Sequence, residues 1–213
     1  YKEMGFTKET IINALALLGW STENEIFSID ELIESFKLEN VQKAAAVFDL
    51  KRFNWVSSQQ LAKLDENSFF EVIKPFMEDE DISEDYPNYK KILLAMRTSK
   101  TNLKDIAHAT RPFFFELDGY EEKGVKKFLN ESLETLTFAL EVLSKLTEWN
   151  ETELDMALIK VRDYFNLPIP KVNQPMRIAL VGSTVSPSLG LTLELFGKEK
   201  SLERIQKAID FIS

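Results

Sequence analysis

The chain has 213 residues, 44% hydrophobic and 29% charged, with seven glycines, seven prolines, sixteen phenylalanines and no cysteine. That is the composition of one large or two small globular domains with a phenylalanine-rich core. It excludes disulfides and thiolate chemistry and fits a reducing cytoplasm. The net charge of -9 excludes a broad electrostatic footprint for nucleic acid, although residues 171–213 carry six basic and four acidic residues, so the acidity lies in the rest of the chain. No stretch reaches the ~18 apolar residues of a membrane span. The start, YKEMGFTKET, has neither a signal-peptide pattern nor an initiator Met, and reads as part of a longer chain.

Helix signals run along the whole sequence, and neither a strand pattern of any length nor an internal repeat occurs. Thr7 is placed to cap a helix whose Ile11, Ile12, Leu15 and Leu18 share one face, with Gly19 as its stop. Ser28 to Glu31 (SIDE) is a capping box for the next helix. Asp49 caps a short helix, and Ser57 or Ser58 starts another. A helix follows around Phe69 to Met77. Glu78 to Pro87 (EDEDISEDYP) is an acidic connector that lacks the glycine and terminal glutamate of a calcium loop. NYKKILLAMRT and NLKDIAHAT read as helices, and EEKGVKKFLNESLETLTFALEVLSKL as the longest helical run. Asn150 to Glu153 is a capping box for ELDMALIKVRDYF.

Leu167 to Pro175 (LPIPKVNQP) reads as an extended, proline-punctuated linker. Three short helices are expected beyond it. Pro175 begins the first, which ends at Gly182. Ser186 and Pro187 supply the N-cap and first-turn proline of the second, which ends at Gly197, and Ser201 caps the third. Lys198-Glu199-Lys200 is then a solvated turn between helices. The fold class is all-α: a helical bundle-like subdomain followed by a smaller helical subdomain. The expected segments are a connector at 1–64, a helical subdomain at 65–170 and a three-helix subdomain at 171–213.

Catalytic signals are missing. There is no phosphate-binding loop and no dinucleotide fingerprint, and His108 is the single histidine, which suits a surface or internally satisfied role better than a metal site or a Ser-His-Asp triad. No catalytic residue and no metal ligand is assigned. Trp20, Phe27, Phe48, Phe53 and Trp55 are spaced as core residues, with base stacking as the alternative. Phe113-Phe114-Phe115 is either a helix-end plug or a contact surface. One residue stands out: Arg177 is a lone guanidinium within an apolar run, followed by a Gly-Ser-Thr loop.

Four stretches in this order carry a family resemblance: ALALLGWS (Ala14 to Ser21), FSIDELIESF (Phe27 to Phe36), VFDLKRFNWVSSQQL (Val47 to Leu61) and VNQPMRIALVGSTVSPSLGLTLELFGKEKSLERI (Val172 to Ile205). Together they resemble the C-terminal, anticodon-binding region of bacterial-type glutamyl-tRNA synthetases, and the resemblance spans nearly the whole chain. It implies that 1–64 is a connector following the stem-contact domain, and that 65–170 and 171–213 are anticodon-binding subdomains. It also implies a parent class I ligase that joins glutamate to tRNA. The HIGH-type and KMSKS-type catalytic motifs would lie upstream, with ATP and Mg, leaving this segment without catalytic site or cofactor. The partner implied is glutamate tRNA, in a cytoplasmic, monomeric protein that takes neither DNA nor a membrane.

By the same resemblance Arg177 is the arginine of a Q-x-x-R element that hydrogen-bonds anticodon bases, and Ser186, Pro187 and Leu189 form the helix-starting element beside it. Arg97 keeps the first arginine of an M-R-P-R element, whereas Ser99 stands where that element's second arginine selects the third anticodon base. A serine cannot replace a bidentate guanidinium, so weaker rejection of glutamine tRNA is expected. The competing reading is a helical protein-interaction scaffold without RNA binding, which the acidic charge favours.

Overall fold

The computed structural model describes residues 1–20, 22, 24–42 and 47–213. Ser21, the last residue of the first matched stretch, lies outside them. The described residues are helical, with no strand beyond an isolated bridge between Trp20 and Val41. They form two compact units, 1–111 and 112–213.

In the first unit, α1 (Lys8–Ala16) starts at Thr7, whose side chain accepts from Thr10 N at 3.2 Å. The second helix, α2 (Ile29–Ser35), opens on the capping box of Ser28 and Glu31. Next, α3 (Leu50–Lys63) is capped by Asp49 and runs unbroken through Ser57 and Ser58. Neither serine caps a second helix, because both hydroxyls are engaged elsewhere: Ser57 Oγ donates to Thr101 O and Ser58 Oγ to Trp55 O. The two helices α1 and α3 pack on one another, with Phe6, Ala14, Phe53 and Val56 in their core.

Further along, α4 (Glu66–Asp79) starts from Asp65 and buries Phe69, Ile73 and Met77 at a four-residue spacing. It is followed by α5 (Tyr89–Met96) and α6 (Leu103–Phe114). Of the five aromatic residues expected in the core, Trp20, Phe27 and Phe53 are buried. Phe48 and Trp55 are about two-fifths exposed; Phe48 rests against the rings of Tyr1 and Phe53 at the edge of the cluster.

In the second unit the expected long helical run is interrupted. Helical turns at Glu122–Gly124 (α7) and Val125–Leu129 (π) give way to a turn before α8 (Leu133–Ser144). Asn130 and Ser132 favour turn geometry, and the buried Ser132 hydroxyl donates to Leu129 O at 2.6 Å, closing the break. Asn150 caps α9 (Glu151–Phe165).

The expected linker is instead helix: α10 spans Ile169–Val181, leaving Leu167 and Pro168 outside it. Pro170 sits in the first turn, where a missing N–H costs nothing, and Pro175 lies mid-helix. The buried face of Val172, Pro175, Met176, Ile178, Ala179 and Leu180 outweighs the one backbone bond that Pro175 forgoes. Gly182 ends α10 with φ 73°, where a Cβ would stand 2.8 Å from Gly119 O.

The last two helices are α11 (Leu189–Phe196) and α12 (Lys198–Ile212). Lys198 to Lys200 form the first turn of α12 rather than a connecting loop, and Ser201 is fully buried inside it, donating to Leu193 O at 3.3 Å instead of capping. Phe113 is buried and stacks on Phe196 at 4.7 Å, which makes it a packing residue.

Candidate nucleic-acid interface

The solvent-facing side of α10 is narrow. Beyond its first turn only Asn173, Gln174 and Arg177 are not buried. Gln174 and Arg177 are three residues apart and therefore neighbours on one face. Arg177 is half-buried, and that burial lowers its pKa from the ordinary value, although a guanidinium stays charged.

No carboxylate pairs with Arg177 among the described residues. Its Nε donates to Ser186 Oγ at 2.8 Å and its Nη2 to Pro187 O at 3.2 Å. These bonds fix the plane of the guanidinium and leave the Nη1 pair without an acceptor among the described residues. The Oε1 of Gln174 is buried without a hydrogen-bond partner among the described residues.

The structure thus brings Arg177, Ser186 and Pro187 together. Ser186 is not the N-cap of α11, because its hydroxyl is taken by Arg177. That role falls to Ser188, whose Oγ accepts from Leu191 N at 3.4 Å and donates to Glu151 Oε1 at 2.6 Å. Leu189, the first residue of α11, is buried, so its side chain belongs to the core.

Arg97 and Ser99 lie in the first unit. The Arg97 guanidinium closes the C-terminal end of α3: Nε donates to Leu61 O at 2.8 Å, and Nη2 to Ala62 O at 3.0 Å and to Leu64 O. It also lies over the Phe69 ring, 5.2 Å from its centroid. Helix ends leave carbonyls unpaired, and a cation satisfies them well. The hydroxyl of Ser99 is buried without a partner among the described residues.

Sequence reasoning missed one residue that shapes the second unit. Arg204, on α12, is 1% exposed, donates from Nη1 to Leu180 O and from Nη2 to Phe115 O at 2.6 Å, and covers the Phe196 ring. It appeared in the matched stretch, but nothing in LERI distinguishes a buried arginine from a solvated one. No group of histidine, cysteine or carboxylate residues able to hold a metal occurs among the described residues. His108 is exposed, 3.2 Å from Glu80 Oε1. No helix among them is long and apolar enough to cross a membrane.

A family model described as an anticodon binding domain matches residues 68–209. A second, described as the catalytic domain of class I tRNA synthetases (E and Q), matches residues 1–55. The glutamate–tRNA ligase of Thermodesulfovibrio yellowstonii is 33% identical over 99% of this chain and 47% of its own length. Glutamate–tRNA ligase 2 of Thermoanaerobacter pseudethanolicus is 33% identical over 100% of this chain and 46% of its own. The crystal structure of a glutamate tRNA ligase from Elizabethkingia meningosepticum in complex with its amino acid aligns with a TM-score of 0.80 at 29% identity, over 100% of this chain and 43% of that one. The chain spans about half the length of the curated relatives it matches. With 68–209 matched by one family model, the chain belongs to the anticodon binding domain family.

Proposed function

We propose that this chain is the anticodon-recognition region of a glutamate–tRNA ligase, with glutamate tRNA as its partner. Ligation, with its ATP and Mg, is assigned to the rest of the ligase; of the catalytic-domain family, this chain carries only the match over residues 1–55. One observation carries the reading: a half-buried guanidinium with no carboxylate partner among the described residues, held by Ser186 and Pro187 with its Nη1 pair unused. A cation kept partly out of water without a counter-charge is costly unless a ligand completes it.

Single-stranded loops present base edges with carbonyl oxygens and ring nitrogens for such donors. Gln174, three residues earlier on the same face of α10, has a buried side-chain oxygen with no partner among the described residues. Ser99, in place of a second arginine, supports a region that discriminates poorly between glutamate and glutamine tRNAs.

The test is a titration of the chain with the anticodon stem-loop of glutamate tRNA and with the same stem carrying a scrambled loop. A preference of about tenfold or more for the native loop supports the reading, since each lost base contact weakens binding by about 1–3 kcal/mol. Equal affinity for both loops rejects it.

A further inference from the structure

The hydroxyl that holds Arg177 is itself held. Ser186 Oγ has three polar neighbours: Arg177 Nε at 2.8 Å, Pro187 O at 3.1 Å and Thr192 Oγ1 at 3.1 Å. Pro187 is the next residue in the same loop and offers no independent anchor. Thr192 is on α11 and is fully buried. Its Oγ1 donates to Ser188 O at 2.8 Å, one turn back.

A hydroxyl has a single proton to give. With the Thr192 proton committed to Ser188 O, the one Ser186 proton is shared between two acceptors, Pro187 O and Thr192 Oγ1, each 3.1 Å away, and Ser186 Oγ keeps a lone pair aimed at Arg177. The contacts run from α10 through the loop into α11, with Thr192 the one partner of Ser186 Oγ that lies on α11.

We propose that Thr192 is a positioning residue for base reading: through Ser186 it fixes the rotamer of Arg177 and so the direction in which the Nη1 donors point. The proposal rests on the reading of Arg177 given above. A threonine bonding to the carbonyl four residues back is a common local habit that packing alone explains. The contact to Ser186, six residues earlier and outside the helix, is not part of that habit.

Two substitutions separate the hydroxyl from the packing. Thr192→Val keeps the buried volume and removes the hydroxyl. Thr192→Ser keeps the hydroxyl and removes a buried methyl. For each, the chain is titrated with native and scrambled anticodon stem-loop RNA, and its melting temperature is measured alongside. Thr192→Val is expected to cut the native-loop preference about three- to tenfold, the worth of one hydrogen bond. Thr192→Ser is expected to lower the melting temperature while keeping the preference.

Ser186→Ala deletes the acceptor of Arg177 Nε along with the contact to Thr192, so it should lose at least as much preference as Thr192→Val; if Thr192→Val fails to fold, Thr192→Ala removes the same hydroxyl and provides the answer. An unchanged preference in Thr192→Val or Ser186→Ala overturns the proposal. So does an equal loss in Thr192→Ser, which would make packing the cause. If Arg177→Ala abolishes the preference while Thr192→Val leaves it intact, only the role of Thr192 falls. If Arg177→Ala also leaves it intact, the reading of the site falls with it.

Discussion

Arg177 Nε donates to Ser186 Oγ at 2.8 Å, so the middle of α10 is tied to the loop that leads into α11. The tie consumes one edge of the guanidinium and leaves the other for a ligand. The same geometry explains why Ser186 does not cap α11: its hydroxyl has another task, and Ser188, two residues on, takes the cap.

The loop between these helices depends on Gly182. Its φ of 73° is left-handed, and a Cβ there would meet Gly119 O at 2.8 Å and Leu117 at 3.3 Å. Gly182→Ala combines backbone strain with a clash against main chain, so it is expected to destabilise by about 2 kcal/mol. The midpoint of urea unfolding measures this, and an unchanged midpoint contradicts it.

Arg204 is buried with its Nη atoms on two carbonyls. Arg204→Leu removes the buried charge but strands Leu180 O and Phe115 O. A loss of about 2–4 kcal/mol is expected, since each stranded acceptor costs about 1–3 kcal/mol. Its exposed neighbour offers a control: Glu203→Gln breaks a surface pair with Lys207 and should change stability by less than about 1 kcal/mol. Equal effects of the two substitutions would contradict the account.

Tyr89 is buried, and burial, with Glu84 and Glu78 adding to it, pushes its phenol up to about 12. The folded state therefore holds this proton more tightly than the unfolded chain, whose tyrosine titrates near ~10. The contribution is complete below about pH 10 and is lost as pH rises towards about 12. Melting temperatures followed through that window should fall more steeply for wild type than for Tyr89→Phe. Parallel curves would show that Tyr89 has no part in alkaline unfolding.

Ser99 has a buried hydroxyl with no partner among the described residues. Wild type is expected to bind the glutamate and glutamine anticodon stem-loops within about fivefold of each other. Ser99→Arg is expected to widen the gap to about tenfold or more, the worth of one bidentate base contact. Fluorescence anisotropy with labelled stem-loops gives both affinities. Strong rejection of the glutamine loop by wild type would contradict the expectation.

Where local chemistry decides, the sequence was readable. Thr7, Ser28, Asp49 and Asn150 all cap the helices expected of them, because each cap needs only a side-chain oxygen and an N–H two or three residues away. Where tertiary packing decides, it was not. Pro175 reads as a helix start, yet the apolar face around it carries the helix straight through. The serine-rich stretch Ser186 to Ser188 holds two equivalent capping candidates, and only the three-dimensional position of Arg177 separates them.

The candidate site was legible in part. Arg177 stood out because a guanidinium in an apolar run is conspicuous, and the resemblance pointed to Ser186 and Pro187. Gln174 is the glutamine of the same Q-x-x-R element, but that its oxygen has no partner among the described residues was not visible, nor was Thr192, because both depend on tertiary packing. Arg97 is engaged with α3 carbonyls through contacts more than thirty residues away in sequence, beyond any local pattern.

The most direct test of the central claim is a double-mutant cycle between Arg177→Ala and a scrambled anticodon, read as stem-loop affinity. If Arg177 reads the loop, each change alone weakens binding by about 1–3 kcal/mol and the two together cost little more than one. If the two losses simply add, or neither change affects affinity, Arg177 does not read the anticodon and the site assignment is wrong.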